Sequence, residues 1–172
     1  MHPPILNLNQ VELESLPDAL APTGETAGRY QQKMARVGQQ LGAQKLGYRL
    51  YVLEPGMRGS PFHNHRVNEE MFYVVAGEGE VRLGAERFPI RAGDVIACPP
   101  GGPEAAHQII NNSQGELRYL AVSTQQSPEI CQYPDSGKYA VMDGFKVDAD
   151  GNASGFVAIA RPGDGVDYWD GE

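Results

Sequence analysis

The sequence predicts an all-β fold: an antiparallel β-barrel or sandwich with an N-terminal arm and one short helix. Three observations lead there. The 172 residues include 21 glycines and 13 prolines, about a fifth of the chain where average usage is roughly 12%; helix interiors tolerate neither residue. Apolar runs of strand length recur between turn signals about every 8–12 residues. No helix-length pattern separates those runs, which disfavours a parallel sheet with crossover helices.

Taken in order, residues 1–24 are rich in Pro, Leu and Asn and read as an extended arm. Residues 25–44 favour helix: Tyr30, Met34, Val37 and Leu41 form one helical stripe, Gly24 and Thr26 offer caps and Gly42 a stop. From Leu46 the period changes to two. LGYRLYVLE, ending at Pro55-Gly56, is a strand; MFYVVAG is the next, followed by a GEGE turn and EVRLG. ERFPI, DVIAC before Pro99-Pro100-Gly101-Gly102, HQIINN and LRYLAVS complete the set. Beyond about residue 128 the pattern is less regular. YPDSGK reads as a turn, and FKV and GFVAIA flank DADGN as a hairpin. Asp148, Asp150 and Asn152 in that loop suggest calcium, but an EF-hand loop needs Gly at its sixth position and Glu at its twelfth. Those positions hold Ala153 and Ile159, so the loop reads as a plain turn. The only Trp, in VDYWDGE, is expected to clamp the terminus onto the barrel. The expected division is an arm and helix over 1–45, a barrel core over 46–125 and an extension with additional strands over 126–172, forming one domain.

The formal net charge is −8. Such a chain repels phosphate backbones and anionic membrane surfaces, so neither nucleic acid nor membrane is an expected partner. The start, MHPPILNLNQ, has no basic region followed by a long apolar one, and no stretch is long and apolar enough to span a bilayer. Cys98 and Cys131 lie outside any CxxC pattern and read as buried free thiols, which fits a cytoplasmic setting.

The chemistry concentrates in PFHNHRVNEEMFYVVAGEGE. His63 and His65 are two apart, so on a strand they share a face. Glu70 opens the next apolar run, and His107 opens a later one. Imidazole nitrogens with one carboxylate suit a borderline divalent ion such as Fe, Mn, Ni, Co or Zn. Spacing alone leaves open that these are surface or core histidines with no metal.

These residues resemble the cupin family. Its first motif is Gly, HxH, three or four residues, Glu, six residues and Gly. His63-Asn64-His65, four residues, Glu70, six residues and Gly77 match it, and the spacing to Gly77 selects Glu70 over Glu69. The leading glycine departs: the family has five residues before the first His, whereas six separate Gly56 from His63 and three separate Gly59 from it. The second motif is Gly, five residues, Pro-x-Gly, two residues, His, three residues and Asn. Gly93, Pro99-Pro100-Gly101, His107 and Asn111 match it, with five residues instead of two before His107. The insertion, GPEAA, lengthens the loop entering the site.

The resemblance implies a small antiparallel barrel of the jelly-roll or double-stranded β-helix type. His63, His65, Glu70 and His107 would bind one divalent metal in its mouth, and a small-molecule ligand would lie inside the barrel. A six-coordinate ion would keep two positions for water, dioxygen or a chelating substrate. If Glu70 points inward, so do Phe72 and Val74, and Tyr73 points out to pack under the arm or in an interface; if His107 does, so do Ile109 and Asn111. Arg49 and Arg58 are candidates for holding an anionic group. Arg66 and the loop acid Glu104 read as solvated charges, and no catalytic acid or base is assigned. The resemblance extends to sugar-phosphate isomerase-type cupins and implies a metal-dependent isomerase or epimerase. The alternatives are an iron-dependent dioxygenase of a small carboxylate or diol, and a binding protein without turnover. A structural role resembling storage cupins fits poorly with an intact ligand set. A homodimer paired through edge strands is also expected.

Overall fold

A computed structural model describes residues 3–16, 21–147 and 153–172. Its strands, in chain order, are β1 (Glu14–Ser15), β2 (Gln32–Ala35), β3 (Leu46–Leu53), β4 (Asn64–His65), β5 (Glu70–Ala76), β6 (Glu78–Leu83), β7 (Glu86–Arg91), β8 (Val95–Cys98), β9 (His107–Ile110), β10 (Leu117–Thr124), β11 (Glu129–Tyr133), β12 (Lys138–Val147) and β13 (Ala153–Ala160). One helix, α1 (Val37–Gln40), accompanies them. All pairings are antiparallel. One wall of the barrel is a six-stranded sheet in the order β1-β2-β3-β10-β5-β8. The other comprises β7-β6-β9 and β13-β12-β11-β4, joined where His63 and His107 exchange backbone hydrogen bonds.

The alternation read from the sequence sets the interior of the first wall. Register places Val74, Tyr119 and Tyr51 side by side across β5, β10 and β3, with Phe72, Ala121 and Arg49 in the next row and Glu70 beside Ser123 above them. Tyr51 stacks on Tyr119 at 5.3 Å between ring centroids, and Phe72 meets Tyr119 edge-on at 5.7 Å, the geometries aromatic pairs prefer. Val81, Ile90 and Ile109 close the core from the opposite wall. Pro89 lies in β7, an edge strand, where its missing N–H costs no ladder bond. The turn into β6 is tighter than a GEGE loop: Gly77 alone makes it, at φ 83°, and a Cβ there would lie 2.2 Å from the Glu116 carbonyl oxygen. Only glycine fits.

The helix expected over 25–44 is not formed. Gly24–Thr26 is a 3-10 turn, residues 32–35 are a strand, and helix remains only at Val37–Gln40. β3 would otherwise present a free edge, and pairing Gln32–Ala35 with Leu50–Leu53 satisfies its backbone groups. That pairing overrides the helical pattern. Met34 enters the barrel core, while Val37 and Ala35 join Leu50 on the outer face of β3. The arm does lie there, with Leu6, Leu8, Val11 and Leu13 packed on that outer cluster. Trp169 does not clamp the terminus: it is 72% exposed, and among the described residues its ring stacks only against Tyr168, edge-on. The region read as irregular after residue 128 holds β11 and the long β12–β13 hairpin. Asp148, Asp150 and Asn152 lie outside the described residues. Among the described residues no helix is long and apolar enough to cross a membrane, and both cysteines are free and buried.

Candidate metal centre

His63, His65, Glu70 and His107 converge, each presenting a ligand atom within 4.8 Å of the others. Each arrives by a separate local device. Glu70 begins β5 on its inward face, directly across from Cys98 of β8. His107 begins β9, and its backbone pair with His63 sets those two imidazoles 4.7 Å apart between centroids. His65 follows two residues later on β4, where Cys131 of β11 pairs with it. Asn64 points the other way, fully buried, and donates to the Gly101 carbonyl at 2.9 Å, while the Gly101 N–H donates to the His65 carbonyl. The loop of the second motif is thereby fastened to the histidine strand.

The imidazole protons follow from the partners. His63 Nδ1 faces the Pro61 carbonyl at 2.7 Å, and His107 Nδ1 faces the Ala105 carbonyl at 3.3 Å. A carbonyl only accepts, so both Nδ1 atoms carry hydrogen and both Nε2 atoms hold the lone pair in the neutral ring. The Ala105 carbonyl belongs to the inserted GPEAA loop, so the insertion supplies the acceptor that orients His107. His107 Nε2 then lies 3.0 Å from Glu70 Oε2. Two acceptors at that distance need a cation between them, either a proton or a metal ion. His65 Nε2 is buried without a hydrogen-bond partner, 3.5 Å from the same oxygen. Three imidazole nitrogens and a carboxylate oxygen meeting in this way fit a divalent cation.

The electrostatics agree. Burial alone would raise the Glu70 carboxyl, but the His107 and His65 imidazoles beside it outweigh burial and hold the group well below the usual carboxylate range. Burial and the neighbouring His107 lower His63 to about 4, leaving it neutral. For His65 burial acts downward, and the neighbouring Cys131 and Glu70 reverse it, giving about 10. A bound cation would therefore displace a proton at His65.

The cluster lines a cavity of about 250 Å³. Arg49, Phe72 and Ile109 line it, along with Tyr51 and Tyr119. Burial raises the Tyr119 phenol well above its ordinary value, and the Tyr51 and Glu70 charges add to this. Arg49 comes from the inward row of β3, with Tyr51 beside it favouring its charged form. Three expected pocket residues lie elsewhere. Val74 is fully buried in the core below Phe72. Asn111 is also fully buried; its amide donates to the Leu53 and Gly115 carbonyls at 2.8 Å and scaffolds a turn. Arg58 bridges to Ile110 through its backbone and is not among the lining residues. Tyr73 points out and is 40% exposed. Glu104 is an exposed loop acid whose Oε1 accepts from the Gly102 N–H.

Sequence reasoning missed the wall made by β11. Glu129, Cys131 and Tyr133 alternate along it, and Cys131 and Tyr133 line the cavity. The Tyr133 ring lies over His63 at 6.0 Å and 21°, and burial pushes its phenol up to about 12. The strand-length run EICQY with its period of two was the available signal.

Comparison with known proteins places the geometry. Residues 49–123 match the profile of the cupin domain. An uncharacterized protein of Methanocaldococcus jannaschii is 36% identical over 61 residues, spanning 36% of this chain and 46% of that protein. An oxalate-binding protein of Thermotoga maritima is 35% identical over 60 residues, 35% of this chain and 47% of its own. The matched stretch thus spans about half the length of these curated relatives. A structure described as a sugar phosphate isomerase from a cupin superfamily, from Silicibacter pomeroyi, superposes with a TM-score of 0.76 at 26% identity, covering 96% of this chain and 98% of that one.

Proposed function

We propose that this chain, whose residues 49–123 match the cupin domain profile, is a metal-dependent enzyme acting on a small, oxygen-rich substrate of the sugar or sugar-phosphate class, as an isomerase or epimerase. The observation that carries this reading is the convergence of three imidazoles and one carboxylate on the wall of a cavity that also presents Arg49. Likeness to the Silicibacter pomeroyi protein over nearly the whole of both chains supports the substrate class.

His63, His65, Glu70 and His107 would hold the ion. Bound there, a divalent ion supplies Lewis-acid polarisation of a carbonyl and lowers the pKa of a coordinated water. The chain's own residues do the rest. Arg49 offers a forked guanidinium to a carboxylate or phosphate. Phe72 and Ile109 provide an apolar flank, and the phenols of Tyr51 and Tyr133 hydrogen-bond to hydroxyls. The cavity lies just below the roughly 300–1,000 Å³ of drug-sized sites, which restricts the ligand to a small one. The carbonyls of Pro61 and Ala105 keep two imidazoles aimed inward.

The test is to load the protein in turn with Fe(II), Mn(II), Ni(II), Co(II) and Zn(II) and incubate each form with aldose and ketose phosphates in D₂O. NMR should show interconversion and deuterium incorporation in at least one form, and His107→Ala should abolish both along with metal retention. Metal-loaded protein that exchanges no C–H bond in any sugar or sugar phosphate fails the proposal. A second reading, binding without turnover, is favoured by one observation: among the described residues, the lining holds no carboxylate and no imidazole apart from the four candidate ligands. Tight calorimetric binding of a small dicarboxylate, left chemically unchanged, would select it.

A further inference from the structure

We propose that Glu129, from a strand beyond the segment matched by the family profile, is the positioning residue of the metal centre: its carboxylate takes the Nδ1–H of His65 and thereby commits His65 Nε2 to the ion. The proposal rests on the reading that the His63, His65, Glu70 and His107 cluster holds a metal.

Glu129 is an acid in an unusual place. Its side chain is 7% exposed, and among the described residues no Lys or Arg pairs with it. It is held by hydrogen-bond donors instead. Oε1 accepts from the backbone N–H groups of Arg66 at 3.1 Å, Val67 at 3.2 Å and Ile130 at 2.8 Å. Oε2 accepts from the Asn68 N–H at 2.8 Å and from the Asn68 amide. Asn68 is fixed in turn, its Oδ1 accepting from the Thr124 hydroxyl at 2.8 Å and the Gln126 N–H at 2.7 Å. The donors at 66, 67 and 68 are the whole start of the loop that connects His65 to Glu70. One buried carboxylate therefore sets the path between two candidate ligands.

The same oxygen that binds Asn68 lies 3.5 Å from His65 Nδ1. His65, Glu129 and Cys131 could be taken for a second metal group, since their ligand atoms also lie close together. The bonding argues against that. Five N–H groups already point at the two Glu129 oxygens, and a cation seated against them would face those same positive hydrogens. Oε2 carries fewer of them than Oε1, and it is the oxygen that faces His65 Nδ1. Cys131 Sγ, at 3.3 Å from the same nitrogen, is a weak acceptor and cannot compete with a carboxylate. His63 and His107 have their Nδ1 atoms tied to backbone carbonyls; His65 Nδ1 faces two side chains instead, Cys131 Sγ at 3.3 Å and Glu129 Oε2 at 3.5 Å. A carboxylate behind a ligating imidazole fixes the ring and raises its basicity, and its loss typically weakens metal binding about 10–100-fold.

The experiment compares wild type, Glu129→Gln and Asn68→Ala. Asn68→Ala loosens the same loop but leaves the carboxylate behind His65, and so separates positioning from folding. Zn(II) and Co(II) dissociation constants are measured by competition with a chromophoric chelator, and the visible spectrum of the Co(II) form and the melting of chelator-treated protein are recorded alongside. Glu129→Gln should weaken both ions about 10–100-fold and shift the Co(II) bands; Asn68→Ala should stay within about threefold with an unshifted spectrum, even if it melts earlier. In Zn(II)-loaded wild type, nitrogen NMR should find His65 protonated at Nδ1 and ligated through Nε2, a readout that does not depend on any variant folding. Equal affinity in wild type and Glu129→Gln, equal losses in the two variants, or His65 ligated through Nδ1 each overturns the proposal while leaving the metal reading intact. Wild type that binds none of these ions overturns both.

Discussion

The six-stranded sheet and the β12–β13 hairpin are made of the same kinds of residue and meet opposite fates. In the sheet, Leu53, Val74 and Leu117 are completely buried, each on the inward half of a period-two pattern. In the hairpin, Phe156, Val157 and Ile159 are all at least 41% exposed. β13 pairs only with β12 among the described residues, leaving one edge open. Strand propensity made both; only the sheet has a facing layer, and the facing layer turns apolar residues into stability. The candidate metal centre belongs to the packed part, and Met142, midway along β12, is the hairpin's one contribution to the cavity among the described residues.

The largest expected effect breaks the packed side of this contrast. Leu117→Ala removes a fully buried side chain that pairs with Leu53 and fills the space above Gly79, and should cost about 2–5 kcal/mol in urea unfolding. Ile159→Ala in the hairpin should stay within about 0.5 kcal/mol. Equal losses would show that the hairpin is covered in solution by something the chain alone does not supply.

Next comes backbone strain. Gly77 and Gly163 both have positive φ, 83° and 100°, but only Gly77 is also crowded by backbone. Replacing either with Ala incurs about 1–3 kcal/mol for the conformation. Gly77→Ala must in addition displace the Glu116 carbonyl, so it should exceed Gly163→Ala clearly in thermal melts.

Legibility in the sequence divides along the same line. Strands β3 and β5 to β10 were readable as apolar runs of strand length between turn signals, with burial alternating along β5, β6 and β8, and the four clustered side chains because His63, His65, Glu70 and His107 fall at the spacings of the two motifs. The helix over 25–44 was misread because its stripe residues, Met34 and Val37, are buried on two different faces once β2 pairs with β3, a fact of pairing and not of local pattern. Glu129 was invisible for a related reason. A lone acid in a polar stretch looks solvated, and only the fold brings the N–H groups of residues 66–68 to its oxygens. Asn111 was placed in the pocket by alternation from His107, yet β9 ends at Ile110 and the side chain turns into the loop beyond.

A ligand effect sharpens the comparison further. At tenfold excess over its dissociation constant, a divalent ion that binds only the folded state adds about 1.4 kcal/mol. Hydrogen exchange should therefore slow at amides of β5, β9 and β10 that open only with the barrel. Amides of β13, which open locally, should exchange at the same rate with and without metal. Slowing throughout β13 would join the hairpin to the cooperative unit of the barrel.

The last comparison is a pH response from inside the sheet. Cys98 lies across from Glu70 on β8, and burial, followed by the Glu70 charge, raises its thiol from an ordinary 9 to about 12. The folded chain thus keeps this proton over a range where the unfolded chain releases it. By linkage the stabilisation is complete below pH 9 and is lost progressively as pH rises toward 12. Cys98→Ala sacrifices some packing at every pH but removes this titration. Its deficit relative to wild type should accordingly narrow between pH 9 and 12 when unfolding free energies are measured in urea across that range. A deficit constant with pH would mean that the Cys98 thiol ionises as readily in the folded chain as in the unfolded one, placing it in an environment as open as that of the hairpin.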